Sequence, residues 1–401
     1  MKKITLIGVN YYPEDSAIGL YTTQKAEYLQ KKGFDVSVIT GYPYYPQWSI
    51  QKAYKDKKNY HQEIINGIKV FRYKQYVPSD PTFFKRIRHL LSFTIGSFFN
   101  LNKPPKPDIV IAIVPFTADV LLGWILKLRY KSKLWVHIQD FEFDAAVESG
   151  LIKGKKAYIF KLLFSFERFL LKRADVVSTI SNGMMAKLES KTNKKGFYLT
   201  NWLDTDMFLN KFKTPHPYLL STKFKILYSG NIGAKQDWQF FINFIDKIKD
   251  LDVEVVVVGE GAEATNLKNK LEKYAFVKHY NLVPFNELFH LLQSADLHVL
   301  FQKEDVVDTV MPSKILGMMG SEKPSVITGN NNSEVKEIIE KSKAGFYFNP
   351  SQLDAIVACV IKLKNNTELS KQIGVNAKKY IIDNYSQKTV LDQFIHKLNQ
   401  L

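Results

Sequence analysis

Residues 223–235 read KFKILYSGNIGAK, an alternating apolar run that ends in two glycines with a lysine just beyond. Phe224, Ile226 and Tyr228 alternate with Lys225 and Leu227, and this spacing predicts a strand that stops in a turn. Gly230 and Gly233 let the backbone bend and approach a ligand closely. The amphipathic run 238–248 then predicts a helix whose first turn faces that bend. A strand, a glycine turn and a helix N-terminus in that order suit a phosphate. The GxGxxG spacing of a dinucleotide site is absent, so an ordinary strand-to-helix turn is the competing reading.

The same alternation extends in both directions. Residues 4–9, 35–40, 69–73, 108–114 and 133–138 read as buried strands ahead of this stretch, with a helix at about 21–31 closing a first βαβ unit. Beyond it, the strand 253–258 ends at Gly259 and Gly261, and helices at about 263–274 and 285–294 alternate with strands at 277–280, 296–301 and 325–327. The pattern predicts an α/β chain of two doubly wound, Rossmann-like domains. Their ligands are expected at a central cleft, at the C-terminal ends of both sheets. We divide the chain into an N-terminal domain at 1–207, a linker at 208–222 with two prolines, a second domain at 223–378 and a C-terminal helix at 379–401. That last helix is expected to return to the first domain.

A chain of 401 residues is too long for one typical core and suits two. Its single cysteine, Cys359, can form neither an internal disulfide nor a zinc cluster, and fits a reducing cytoplasm. The opening apolar run is too short for a signal peptide and reads as a first buried strand. The most apolar windows, 109–126 and 157–171, are interrupted by proline or charge, and neither reads as a membrane span.

Of the net charge of +17, +15 falls in residues 1–204. The N-terminal half is therefore expected to meet something anionic: a lipid headgroup surface, a pyrophosphate-bearing acceptor or nucleic acid. The loop around 41–50 places Tyr42, Tyr44, Tyr45 and Trp48 beside two prolines. These rings are suited either to stacking on a sugar or lipid chain or to folding back as a satellite core. Residues 82–99 predict a helix with Phe84, Ile87, Leu90, Leu91 and Thr94 on one face and Lys85, Arg86, Arg88 and His89 near its start, a pattern that can lie in a membrane interface.

At 308–328 the chain reads DTVMPSKILGMMGSEKPSVIT. Ser313 and Lys314 follow Pro312 at a predicted helix start, so amides, a hydroxyl and an ammonium converge where a diphosphate would fit. The block resembles the carboxyl-terminal donor motif of glycosyltransferase family 4, enzymes of the GT-B fold. ADVVSTIS, NWLDTDMF, SGNIGAKQ, VGEGAEATNL and NLVPFNELFHLLQSADLHVL follow the family's order over nearly the whole chain. YYPEDSAIGLYT, GYPYYPQW, HIQDFE and MPSK are similar to the branch of bacterial exopolysaccharide fucosyltransferases.

The resemblance implies a retaining transfer of fucose or a related sugar from a GDP- or UDP-linked donor to a glycan on undecaprenyl diphosphate. It places the enzyme on the cytoplasmic face of the membrane, as a peripheral protein with no cofactor and no metal beyond the nucleotide-sugar co-substrate. Lys235 and Lys314 match cationic positions near the donor phosphates, where they would offset charge on the leaving diphosphate. Gly19, Gly230, Asn231, Gly233, Gly259, Met311, Pro312 and Ser313 fall with the donor-binding residues, Asp308 with groups that hold sugar hydroxyls, and Val283 and Pro284 where relatives frame the base. Two positions depart from the pattern: Asn231 stands where many relatives carry arginine, and Gly317 where a ribose-binding glutamate is usual.

HIQDFE sets His137 and Gln139 at alternating positions, with Asp140 at the strand end and Glu142 just beyond. His137 is suited to bonding a sugar, and Asp140 or Glu142 to accepting the acceptor hydroxyl's proton; a satisfied sheet histidine and a helix cap are the plain alternatives. Tyr44, Tyr45, Trp48, Lys85, Arg86 and Arg88 are the candidate acceptor or membrane contacts. Asp204 and Asp206 have a D-x-D spacing, but the surrounding element matches a metal-independent pattern. The rivals are another GT-B enzyme, such as a nucleotide-sugar 2-epimerase or a sugar phosphorylase, and a basic nucleic-acid-binding protein. The first leaves the basic half unexplained and the second lacks a recognisable motif, so no nucleic-acid partner is expected.

Overall fold

The computed structural model describes residues 1–15, 17–114, 117–141, 144, 156–204, 207, 212–306 and 313–401. It divides into two compact units, Met1–Thr200 together with Leu391–Leu401, and Asn201–Val390. The NWLD stretch thus begins the second unit, where the Leu203 amide donates to the Tyr385 carbonyl at 2.8 Å.

The first unit is built on β1 (Lys3–Ile7), β2 (Asp35–Gly41), β3 (Tyr60–Ile65), β4 (Ile68–Tyr73), β5 (Ile109–Val114), β6 (Lys133–Ile138), β7 (Val176–Thr179) and β8 (Phe197–Tyr198). They form one sheet in the order β3-β4-β2-β1-β5-β6-β7-β8. Every neighbouring pair is parallel except β3 and β4. Burial on both faces explains why β5 reads IVIAIV without a polar residue. β3 has no counterpart in the sequence reading. It is a half-exposed edge strand joined to β4 by Asn66 and Gly67, both at positive φ. The helices are α1 (Ala17–Lys31), α2 (Phe83–Phe98), α3 (Ala118–Tyr130), α4 (Lys156–Leu171) and α5 (Asn182–Thr192).

The second unit holds β9 (Phe224–Ser229), β10 (Val253–Val258), β11 (Val277–Tyr280), β12 (Leu297–Phe301), β13 (Ser325–Thr328) and β14 (Gly345–Phe348). They lie in the order β11-β10-β9-β12-β13-β14, parallel throughout. Strand addition reverses direction between β9 and β12, so the end of β9 opens at the topological switch point, where this architecture binds ligands. Its helices are α6 (Trp238–Lys247), α7 (Ala264–Leu271), α8 (Phe285–Ser294), α9 (Ser313–Gly320), α10 (Glu334–Ser342), α11 (Leu353–Asn365), α12 (Thr367–Tyr385) and α13 (Gln387–Asn399). α6 shows why the apolar faces end up inside: Phe240, Phe241, Phe244 and Ile245 follow the helical repeat and all four are buried in the unit's main core. From Leu391 onward α13 groups with the first unit, where Phe394 packs edge-on against Trp135 at 4.8 Å between ring centres.

Candidate functional site

The turn after β9 is locked to the turn after β10. The Gly230 amide donates to the Val258 carbonyl at 2.9 Å, the Ile232 amide to Glu260 at 2.8 Å and the Glu263 amide to Ile232 at 3.0 Å. Glycine is demanded where the turns touch: a Cβ on Gly259 would lie 2.2 Å from the Gly230 carbonyl oxygen, and one on Gly261 2.4 Å from that of Ile232. Gly230 itself has φ +128, a conformation side chains rarely adopt.

Lys314, in the first turn of α9, reaches into this bend. Its Nζ lies 3.1 Å from where a Gly230 Cβ would be and donates to the Tyr228 hydroxyl at 3.0 Å. The Tyr228 hydroxyl donates onward to the Asn231 carbonyl at 2.6 Å, and the ammonium stands 4.8 Å from the centre of the Tyr228 ring. Enclosure of the ammonium end lowers the Lys314 pKa to about 8. Burial pushes the Tyr228 phenol well above its ordinary value, so its oxygen stays a neutral relay.

The expected phosphate cradle at the start of α6 is corrected by the structure. The Asp237 side chain accepts from the Phe240 amide at 2.9 Å and so caps that helix, setting a carboxylate where an anion would have to bind. The Gly233 amide is also taken, by the Gln236 side chain at 3.1 Å. What the bend offers an anion is the Lys314 charge. Asn231 and Lys235 are both exposed on the same loop, and the Lys235 carbonyl accepts from the Lys303 amide at 3.1 Å. Val283, like Tyr218, Tyr280 and Leu288, packs partly buried against a core cluster that includes Leu227, Val258 and Leu292, and Pro284 precedes α8 at the surface. At Gly317 a Cβ would meet only Leu292 Cδ1, at 3.1 Å. Asp308, Met311, Pro312 and Asp206 lie outside the described residues, as does the side chain of Ser313.

In the first unit several expected ligand contacts prove to be internal. His137 on β6 is 1 % exposed, with Nδ1 2.9 Å from Ser178 Oγ and Nε2 3.0 Å from the Gln139 amide. Burial, with the nearby Lys25 charge, lowers its pKa well below the usual histidine value, so the ring is neutral. It is a satisfied sheet histidine with no nitrogen to spare for a sugar. Asp140, at the end of β6, is exposed, and Glu142 lies outside the described residues. Gly19 belongs to the first turn of α1, where a Cβ would come within 2.8 Å of Glu14 Cβ and 2.9 Å of its carbonyl oxygen. Its requirement is packing.

The aromatic loop folds back. Tyr44 is buried in a cluster with Val9, Leu90 and Phe93, and Tyr45 and Trp48 pack against it. Glu14, which sequence reasoning passed over, holds that loop: its Oε1 accepts from the amides of Tyr44 and Tyr45 at 2.7 and 2.8 Å. On α2 the expected apolar face splits. Leu90 and Thr94 are buried and Ile87 partly so, whereas Phe84 and Leu91 point to solvent. His89 leaves the basic cluster for the interior, where its Nδ1 meets the Tyr76 carbonyl. Arg86 and Arg88 stack over Trp48 and Tyr76 at 5.2 and 4.3 Å. Among the described residues, no group of three or more His, Cys, Asp or Glu is placed to share a metal, and no helix is long and apolar enough to cross a membrane.

Comparison with known proteins gives a consistent set of relatives. Residues 16–194 match the glycosyl transferase 4-like domain and residues 211–380 the glycosyl transferases group 1 family. The chain is 32% identical over 420 residues to the putative colanic acid biosynthesis glycosyl transferase WcaI of Escherichia coli, covering 99% of each. It is 24% identical to an uncharacterized glycosyltransferase of Methanocaldococcus jannaschii, over 98% of each. Among solved structures it resembles a sucrose-phosphate synthase of Thermosynechococcus elongatus, with TM-score 0.76 and 13% identity over 100% of this chain and 99% of that one. It also resembles Anabaena HepE in complex with UDP-glucose, with TM-score 0.69 and 13% identity over 100% of both chains.

Proposed function

This chain belongs to the group 1 glycosyltransferases, with a family 4-like domain ahead of the group 1 domain and the GT-B fold, and from that premise we propose that it moves a sugar from a nucleoside-diphosphate donor to a lipid-linked glycan in exopolysaccharide synthesis. In the proposed retaining transfer, the bond between the sugar's anomeric carbon and the donor phosphate oxygen breaks with its electron pair on the oxygen. A new bond to an acceptor hydroxyl forms on the same face. The hydroxyl proton passes to the leaving diphosphate or to Asp140.

The observation that carries the reading is the Lys314 ammonium fixed at the Gly230 bend, 3.0 Å from the Tyr228 oxygen. It supplies positive charge at the switch point, where a leaving diphosphate gains negative charge. The role of WcaI in colanic acid biosynthesis supports a polysaccharide context, and the UDP-glucose complex of HepE supports a nucleotide-sugar donor. Fucose on GDP, or a UDP-sugar, remains the donor we favour. The acceptor is a glycan on undecaprenyl diphosphate, met by the peripheral enzyme at the cytoplasmic membrane face, with no cofactor and no metal assigned.

Thermal-shift titration with GDP, UDP, GDP-fucose and UDP-sugars tests this reading. Selective stabilisation by one nucleotide, lost in Lys314→Ala, is expected. Release of nucleotide only when acceptor is added would argue against an epimerase, and conversion of the donor into its epimer with no acceptor present would favour one. Unchanged donor affinity in the variant would remove Lys314 from the site.

A further inference from the structure

The outward faces of α2 and α4 are apolar where a water-facing helix is ordinarily polar. On α2 and its C-cap, Phe84, Leu91, Ile95, Phe98 and Phe99 are exposed, Phe84 and Ile95 at 65 % each. On α4, Tyr158, Leu162, Phe166 and Phe169 are exposed, Tyr158 at 68 %. Spacings of three and four draw each set into a stripe along its helix. These nine are about half of the nineteen exposed large hydrophobic residues among the described residues, on two helices of one unit.

The two helices both pack against α3 and reach one common cluster. Leu90 and Phe93 of α2 share one buried cluster with Leu163 and Phe164 of α4. α3 joins them, with Trp124 edge-on to Phe169 at 5.5 Å.

Charge on this face is predominantly positive. Lys85 and Arg88 flank the first stripe, and Lys161, Arg168 and Lys172 the second, all exposed. Residues 83–99 and 156–173 contain one acidic residue, Glu167, which is 2 % exposed and bound to Lys191. Asp80, just ahead of α2, is paired with Lys85 at 3.3 Å.

We propose that this face docks on an anionic lipid bilayer, the rings and leucines entering the acyl boundary while the flanking cations meet the headgroups. A second copy on the same face would set cation against cation across a two-fold contact. The proposal rests on the glycosyl-transfer reading for its purpose alone, because the face and its charge belong to the first unit.

The test is co-sedimentation of the full chain with vesicles of phosphatidylcholine, alone and in equal mixture with phosphatidylglycerol, at low and high salt. Binding to the mixed vesicles that weakens with salt is expected. Ile95→Ser with Leu162→Ser, and separately Lys161→Glu with Lys172→Glu, are each expected to lower it by about tenfold or more. Ile95→Met with Leu162→Met should restore it. All these positions are exposed, so an unchanged melting temperature checks the fold.

Absence of binding to mixed vesicles, or full binding by both the serine and the glutamate variants, would overturn the proposal. So would a dimer that the serine pair converts to monomer with lipid binding intact. Nucleotide affinity measured on the same samples separates this result from the donor reading, whose failure would leave vesicle binding unchanged.

Discussion

Lys314 Nζ lies 3.0 Å from the hydroxyl of Tyr228, and that hydroxyl donates to the carbonyl of Asn231 at 2.6 Å. One phenol thus ties a cation from α9 to the glycine bend after β9. Tyr228→Phe keeps the ring, with its packing against Trp238 at 5.0 Å, and removes only this tie. A net hydrogen bond of about 1 kcal/mol corresponds to roughly fivefold weaker nucleoside-diphosphate binding. Binding of the nucleoside without phosphates should be unchanged. Calorimetry with both ligands checks it, and equal losses for the two would show that the ring and not the phenol matters.

Lys314 also makes the site pH-dependent. Burial sets its pKa at about 8, so its protonated fraction falls between pH 7 and 9. If the diphosphate binds the ammonium form, affinity should drop by about tenfold over that interval. Lys314→Arg keeps its charge and should flatten the profile, and Lys314→Ala should be weak and flat. A wild-type affinity that is constant from pH 7 to 9 would contradict this assignment.

Most of the architecture was legible because parallel strands buried on both faces read as apolar runs, VEVVVV at β10 being the plainest. β3 escaped because an edge strand lacks that pattern, although Asn66-Gly67 is a hairpin signal in the sequence. Lys314 was legible from its place after Pro312 at a helix start. Tyr228 was not: as an inward strand residue it reads as core, and its partner lies 86 residues away. The phosphate reading of α6 overlooked Asp237, whose position before Trp238 marks a helix cap. The aromatic loop reads equally as surface or as core, and Glu14, thirty residues upstream of Tyr44, is the group that draws it inward.

The two glycine turns should differ in tolerance. Gly259→Ala drives a methyl to 2.2 Å from the Gly230 carbonyl oxygen, a backbone atom that cannot yield without breaking the lock between the turns. Overpacking of this kind costs about 1–3 kcal/mol, a fall of roughly 2–4 °C in melting temperature per kcal/mol. Nucleotide binding should be lost with it. At Gly233 the nearest atom to an added Cβ is the tip of the Asn231 side chain, at 2.8 Å, which can swing away. Gly233→Ala should therefore melt within about a degree of wild type, on the scale of a neutral substitution. Calorimetric scans of the two variants decide between this view and a general intolerance of the loop.

Lys25 offers a test in the first unit. It is 1 % exposed on α1, its Nζ 5.6 Å from the Phe394 ring centre, and burial lowers its pKa to about 7. Below pH 7 the lysine is charged in both folded and unfolded chains, so folding bears the full cost of burying an ammonium. Between about 7 and its ordinary value of 10.5, the unfolded chain holds a proton that the folded one has released. Its contribution to stability therefore rises with pH across that window. Lys25→Met fills similar space without a charge and should raise the melting temperature most at pH 6, with a gain that shrinks by pH 9. A gain independent of pH would mean that the ammonium is not the source of the cost. A loss at pH 6 would show that the charge itself holds α13 in place.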